Sequence, residues 1–411
     1  MATAAPEERI VTLDIVRGVA VMGILAMNIV TFAMPMQAYM NPAAFGSESG
    51  TDYAAWAFNF VLIDGKMRGL FSFLFGASML LVIERAAAGG GAPKSIHFRR
   101  MTWLLIFGLL HFALIWFGDI LAGYAMVGMI AYLFHRLAPR VLIGLGIGLL
   151  VIQTLIFAAL GLFIFGLQQA AADPAAPPEI SALWVQMQGQ YGVPSQQALA
   201  ADLALHQGGY WPLLQHRLGR IAEPFAGFFL FGWETLAYFL FGMALLKTGF
   251  LRGTWSAARY WKMLLIGYGI GIPATAAVAY FFYRGGFSVS GIFALALGAT
   301  TPIRPLTIMA TASLIILATR GGGAALERVA AAGRAAFTNY IGTSILMTTL
   351  FYGYGFGLYG SFSRAELWIV VIATWALMLL WSKPWLQRYR YGPLEWLWRS
   401  LARGRAEPMR R

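Results

Sequence analysis

The sequence predicts an all-α protein, a polytopic membrane helix bundle of about ten transmembrane helices, and three observations predict it. Hydrophobic residues make up 59% of the 411 and charged residues 11%, against roughly a quarter charged in soluble globular domains; the mean hydropathy is +0.67. The apolar residues fall into stretches of about 20, the length that crosses a hydrocarbon core. Lys and Arg collect between alternate stretches, as they do in loops held on one side of a bilayer.

Taken in order, the stretches are approximately 11–34, 66–86, 100–117, 119–136, 141–168, 224–247, 262–283, 303–319, 335–352 and 364–382. The first carries Asp14 and Arg17 and is too long for the apolar region of a cleavable leader, so it reads as a retained span. Gly118 and Asp119 alone join the third and fourth, which predicts a tight hairpin. Loop 35–53 has no Lys or Arg, whereas 85–100 carries Arg85, Lys94, Arg99 and Arg100, 247–262 carries Lys247, Arg252, Arg259 and Lys262, and 320–334 carries Arg320, Arg328 and Arg334. Positive loops on the inner side put both termini in the cytoplasm. That arrangement requires 287–300 to be a short or re-entrant element, tolerated at membrane depth where protein or water surrounds it; the alternative is an ordinary eleventh span that breaks the charge rule locally. Residues 54–63 read as an interfacial helix leading into the second span. The long insert 169–222, with Pro174, Pro177, Pro178 and Pro194, is extracytoplasmic on this topology. Residues 383–411 form a basic tail, in which Lys383, Arg388, Arg390, Arg399, Arg403, Arg405, Arg410 and Arg411 face only Glu395 and Glu407. The whole chain, 1–411, is a single integral membrane domain.

The net charge of +13 does not point to nucleic acid, because its cations are the loop and tail cations of a membrane protein. The absence of Cys excludes disulfides and thiolate metal sites. No phosphate loop, dinucleotide fingerprint or His-rich metal spacing occurs, and no metal is expected.

An ionisable group inside a span costs about 2.5–3.5 kcal/mol, so each one asks for a function or a partner. Asp14 and Arg17 sit at i, i+3, and at about 100° per residue Arg17 and Asn28 differ by about 20° around the helix. All three therefore share a face that cannot point at lipid. Asp64, Lys66 and Arg68, flanked by Gly65 and Gly69, would suit an anionic group, since Gly lets backbone approach a ligand. His111 lies well inside a span with Asp119 at the hairpin beyond it, the pairing in which a carboxylate fixes the tautomer of a general base. Glu234 needs a partner, either Arg220 or a cation of another span. Thr338, Asn339, Tyr340 and Ser344 make a polar helix start. Phe73-Leu74-Phe75-Gly76 is weakly echoed by Phe239-Leu240-Phe241-Gly242, either a coincidence of a Phe-, Leu- and Gly-rich vocabulary or an internal repeat of the kind transporters carry.

Leu13-Asp14-Ile15-Val16-Arg17-Gly18-Val19-Ala20 opens a set of motifs that runs in order along nearly the whole chain. It continues with Asp64-Gly65-Lys66, Leu74-Phe75-Gly76, Gly118-Asp119-Ile120-Leu121, Gly333-Arg334 through Tyr340 and Gly392-Pro393-Leu394-Glu395-Trp396-Leu397-Trp398-Arg399. In these the chain resembles the YeiB family of bacterial inner-membrane proteins. That family is in turn similar, at a distance, to transmembrane acyltransferases such as the heparan-glucosaminide N-acetyltransferase and the glycan O-acyltransferases, through the opening Leu-Asp-x-x-Arg-Gly pattern and an acidic residue before a Phe- and Gly-rich second span. The wider resemblance implies transfer of an acyl group from cytoplasmic acyl-CoA, as donor substrate, to a lipid or glycan acceptor at the outer face of the inner membrane. Asp14, Arg17 and Arg334 would then serve the donor, and Asp64, Lys66 and Arg68 the acceptor. Where glycan O-acyltransferases keep a His, this chain has Asn28, and 29–53 contain none. The base would be His111, oriented by Asp119, with Asn28 stabilising the oxyanion. Membrane lipids are implied as surroundings, and a homodimer is a further candidate assembly. The same buried charges also suit a second class of function, a transporter or flippase for an anionic lipid or metabolite. A third class is a structural or regulatory membrane partner.

Overall fold

Backbone amides in an apolar surround must bond within their own segment, and each of the ten apolar stretches accordingly forms a helix. The computed structural model describes residues 10–411, and among them the only β-type pairing is an isolated bridge between Tyr389 and Arg410. The helices are α1 (Val11–Ala33), α2 (Gly50–Phe58), α3 (Lys66–Ala88), α4 (Pro93–Leu114), α5 (Leu121–Ala131), α6 (Pro139–Ala171), α7 (Pro178–Tyr191), α8 (Gln196–Gln207), α9 (Tyr210–Gly219) and α10 (Glu223–Lys247). They continue with α11 (Ala257–Arg284), α12 (Arg304–Thr319), α13 (Ala324–Arg334), α14 (Ala336–Phe351), α15 (Leu367–Arg388) and α16 (Pro393–Arg403).

Among the described residues, six helical runs are long and apolar enough to cross a membrane: α1, Gly50–Ala88, α6, α10, α11 and α15. A seventh is the pair Val289–Ala299 and α12, bent by 53°. Among the described residues one shorter apolar helix, Leu121–Phe134, is added to these, so the expected ten spans are not reached. α5 and α14 have 11 and 16 residues, and α4 opens with Lys94, Arg99 and Arg100.

Two places break helical regularity, one within the expected interfacial helix 54–63 and one at the expected short element 287–300. α2, started by a Ser49–Asp52 capping box, runs into a π-helical turn at Asn59–Ile63 and a reversal at Gly65, whose φ of +68° only glycine adopts freely. Val289–Ala299 is π-helical from Ile292 onward before its bend into α12.

Position in the bundle follows from how apolar each helix is all round. α1 and α10 have 78% and 67% of their apolar windows buried, whereas α6, α11 and α15 have 28% each. On α6 the buried residues Leu142, Gly146, Leu150, Gln153, Phe157, Gly161, Ile164 and Leu167 make one stripe of helical period, while Ile147, Val151, Leu155 and Phe163 are exposed. Outward apolar surface of that kind suits lipid.

The echoed motifs are a reciprocal crossing of α3 and α10. A Cβ on Gly76 would lie 2.2 Å from the Phe239 carbonyl oxygen, and one on Gly242 would lie 1.9 Å from that of Phe73. Phe75 stacks on Phe239 at 4.9 Å between centroids. Small residues at matched positions let the two backbones touch, the usual way helices associate without a solvent driving force.

The loops gather at two ends. At the basic face Lys247 donates to the carbonyls of His135 and Leu137, Arg320 to that of Trp255, and the Trp398 indole to that of Arg100. The C-terminal segment is therefore tied down as α16. At the opposite, insert face, Arg364 donates to the Ala38 carbonyl, Gln207 to that of Tyr359, and Arg217 to that of Ile115.

Candidate functional site

Three polar clusters hold the sequence-predicted residues. At the basic face, Asp14 and Arg17 pair at 3.3 Å, and the Arg17 Nη2 donates to Ser78 Oγ on α3 at 2.8 Å. The Arg17 side chain stays a quarter exposed. Arg399 of α16 lies within electrostatic reach of Arg17 and Arg403, and Arg100 within reach of Arg399 and Arg403 while it covers the Trp398 ring. Arg334, at the end of α13, which packs along α1, donates to the Arg390 carbonyl at 3.1 Å. Glu395 accepts from the N–H groups of Phe337 and Thr338 and from the Thr338 hydroxyl, and so caps the start of α14. Burial pushes its carboxyl up from the usual range while those donors pull it back.

The second cluster fills the interior between α3, α10 and α12. Glu234 pairs with Arg68 and, at 2.9 Å, with Arg304, and accepts from the Tyr238 hydroxyl at 2.7 Å. Arg304 also donates to the Ala296 carbonyl at 3.1 Å. Its guanidinium lies against Gly65, where a Cβ would meet Nε at 2.6 Å. Asp64 accepts from Tyr39, and the buried Lys66 ammonium donates to the carbonyls of Phe60 and Asp64. Asp64, Lys66 and Arg68 thus come together but turn to partners inside the protein. The carboxylate carries two cations and a phenol, and replacing it would leave two buried guanidiniums unpaired.

The third cluster contains His111 and Asp119, 2.9 Å apart with side chains 1% and 0% exposed. α4 ends three residues beyond His111, and the short turn to α5 brings Asp119 back against it. Asp119 Oδ2 accepts from the Ala122 N–H at 2.8 Å, which ties the carboxylate to the start of α5 while Oδ1 faces His111 Nδ1. A carboxylate so fixed places the proton on Nδ1 and the lone pair on Nε2. His111 Nε2 is buried without a hydrogen-bond partner, as is the adjacent Trp116 indole nitrogen. The Tyr340 ring lies 5.3 Å from the imidazole, and its hydroxyl is 3.3 Å from the Ile120 amide nitrogen. Tyr340 also lines a groove with Ile24, Asn28, Phe32 and Ser344, and Phe32 stacks on Trp116 at 3.9 Å. Asn28 therefore approaches the His111 site through shared aromatic neighbours.

Reasoning from sequence missed Arg304, Tyr238, Trp116, Tyr340's contact with His111, and Arg399 beside Arg17. Arg304 was open to discovery, being a cation inside an apolar stretch just beyond the break. The others are brought in by packing that no spacing encodes.

Residues 245–405 match the family described as "Protein of unknown function (DUF418)". The chain is 32% identical over 416 residues to a protein of Escherichia coli (strain K12) described as uncharacterized protein YeiB, covering 98% of each chain. It is also 32% identical over 412 residues to uncharacterized protein YxaH of Bacillus subtilis (strain 168), covering 96% of this chain and 94% of that one. With an uncharacterized 39.9 kDa protein encoded in the amylase 3' region of Bacillus acidopullulyticus it shares 26% identity over 411 residues, 98% of this chain and 97% of the relative.

Proposed function

The chain belongs to the YeiB family, and from that premise we propose that it is an acyltransferase of the bacterial inner membrane. In this reading it moves an acyl group from cytoplasmic acyl-CoA to an acceptor at the outer face. The observation that carries the reading is the His111–Asp119 pair, a buried imidazole oriented on one nitrogen and left open on the other. That is the arrangement of a general base awaiting a proton donor.

In the proposed step an acceptor hydroxyl gives its proton to His111 Nε2 as its oxygen attacks the thioester carbonyl. The tetrahedral intermediate then expels the CoA thiolate, which leaves with that proton as CoASH. Asn28 donates its amide N–H to the developing oxyanion. Asp119 is a positioning residue that holds the tautomer. The cytoplasmic side is the basic face, by the distribution of Lys and Arg, and both termini lie there. Arg17, with Arg399 and Arg334 nearby, holds the donor phosphates. From Arg17 to Asn28 the helix rises about 16 Å at 1.5 Å per residue, a distance that the pantetheine arm of CoA is long enough to bridge.

A second reading, transport or flipping of an anionic lipid or metabolite, is favoured by the 53° bend beside Arg304 and the buried charges it faces; broken helices and buried charges are what transporters use at their sites. Titration of the purified protein with acetyl-CoA and with a longer acyl-CoA separates the two. Acyl transfer requires saturable binding that weakens in Arg17→Ala; no detectable binding by the unaltered chain removes this reading and leaves the transporter one.

A further inference from the structure

At the insert face, α8 and α9 close over the end of α4 and the loop after α14, and leave a small pocket open to that face. Its walls bring together Arg217, Arg220, His206 and His216 with Tyr352 and Tyr359. Phe112, the residue after His111, also lines it, so the pocket and the His111 site share the end of α4.

Asp202 and Glu223 match the two guanidiniums in number, but neither carboxylate is paired with Arg217. Arg220 is shared with Glu223 at 2.5 Å, and Asp202 is shared between the Tyr359 hydroxyl at 2.8 Å and His206 at 3.5 Å. Arg217 is 3% exposed, and no carboxylate of the described residues lies within 4.0 Å of it. Nη1 donates to the Ile115 carbonyl at 2.6 Å and Nη2 to that of Leu114 at 3.4 Å, the guanidinium lies 5.6 Å from the Tyr210 ring, and Nε is buried without a partner. Helix-end carbonyls offset part of a guanidinium's charge but do not neutralise it. Burial, with Arg220 alongside, pushes the His216 imidazole down from its usual range, and it lies 3.2 Å from the Arg220 guanidinium. The Tyr359 ring, stacked on His206 at 4.4 Å, adds a flat face.

We propose that this pocket is a binding site for a small hydroxylated molecule bearing a phosphate or a carboxylate, with Arg217 as the principal counter-charge, Arg220 at the mouth and the aromatic wall beneath. Under the acyl-transfer reading, and resting on it for this part alone, that molecule is the acceptor and the pocket is where it is captured from the outer side.

The test uses the full chain in phosphatidylcholine nanodiscs, without acyl-CoA, and titrates sn-glycerol 3-phosphate, glucuronate and, as neutral control, glucose. Either anion, or both, is expected to bind at least tenfold more tightly than glucose. Arg217→Gln should remove that preference, and Arg217→Lys should restore part of it. If Arg217→Gln fails to fold because it also ties down the end of α4, the double variant Arg220→Gln with His216→Gln must weaken anion binding at least tenfold. Repetition in phosphatidylglycerol nanodiscs assigns the source: competition with the soluble phosphate identifies a lipid headgroup, and unchanged binding identifies a soluble ligand. Glucose binding as tightly as both anions, or anion binding unchanged in the folded variants, overturns the proposal. Because no acyl-CoA is present, that result says nothing against acyl transfer, and loss of acyl-CoA binding says nothing against the pocket.

Discussion

Two buried polar clusters in this bundle are each built on a carboxylate, Glu234 in one and Asp119 in the other, and end differently. Around Glu234 the valences close: one carboxylate oxygen takes Arg304 and Tyr238, the other takes Arg68, and Arg304 goes on to a backbone carbonyl. At His111 the same kind of bonding stops halfway, since Nδ1 has its carboxylate and Nε2 has nothing. A buried polar group costs free energy unless it is bonded. A closed network therefore reads as a fastening between helices, and an open one as a place kept for a ligand.

Variants can break that contrast. Glu234→Leu should have the largest effect, because it strands two buried guanidiniums. A loss of about 3–5 kcal/mol is expected, read as a lowered unfolding midpoint in detergent or loss of folded protein. A change below about 1 kcal/mol would mean that the network is not a fastening, and would favour the transporter reading. Next comes Asp119→Asn, which can still accept from the Ala122 N–H but no longer selects the tautomer of His111. Acyl transfer should fall about a hundredfold or more, with the unfolding midpoint nearly unchanged; a collapse of stability with intact turnover would make the pair structural. Arg17→Ala should weaken acyl-CoA about tenfold, or about 1.4 kcal/mol, without altering the rate at saturating donor. The smallest effect is expected for Glu395→Gln, which removes a charge from the start of α14 and should cost about 0.3–1 kcal/mol. A strong loss of acyl-CoA binding there would extend the donor site beyond the cations.

The helical bundle was legible because it rests on composition and span length, quantities local to each segment. The break at 287–300 was suggested by the loop charges instead, whereas the π-helical turn at Asn59–Ile63 had no signal in the sequence, which offered a helix there. His111 with Asp119 could be paired from sequence because one tight turn separates them. Glu234 was seen to need a partner, with a cation of another span as one option. That Arg304, 70 residues on, fills the place with Arg68 depends on how α12 folds back after the bend, which spacing does not encode. Arg68, whose glycine-flanked position suggested an anionic ligand, is paired with Glu234 in the structure. The repeated Phe-Leu-Phe-Gly left coincidence and internal duplication both open, and in the structure it is the contact at which each glycine admits the other helix's backbone.

In the proposed reaction the open nitrogen of His111 accepts a proton during acyl transfer. The chain contains no Cys, so once the acceptor source has been thiol-blocked, CoA release can be followed with a thiol-reactive dye and no background from the chain itself. With protein, acyl-CoA and an outer-face extract as acceptor source, the account predicts steady release by the unaltered chain. His111→Gln should release CoA at least a hundredfold more slowly while binding acyl-CoA equally well. Release at the same rate by His111→Gln would contradict it.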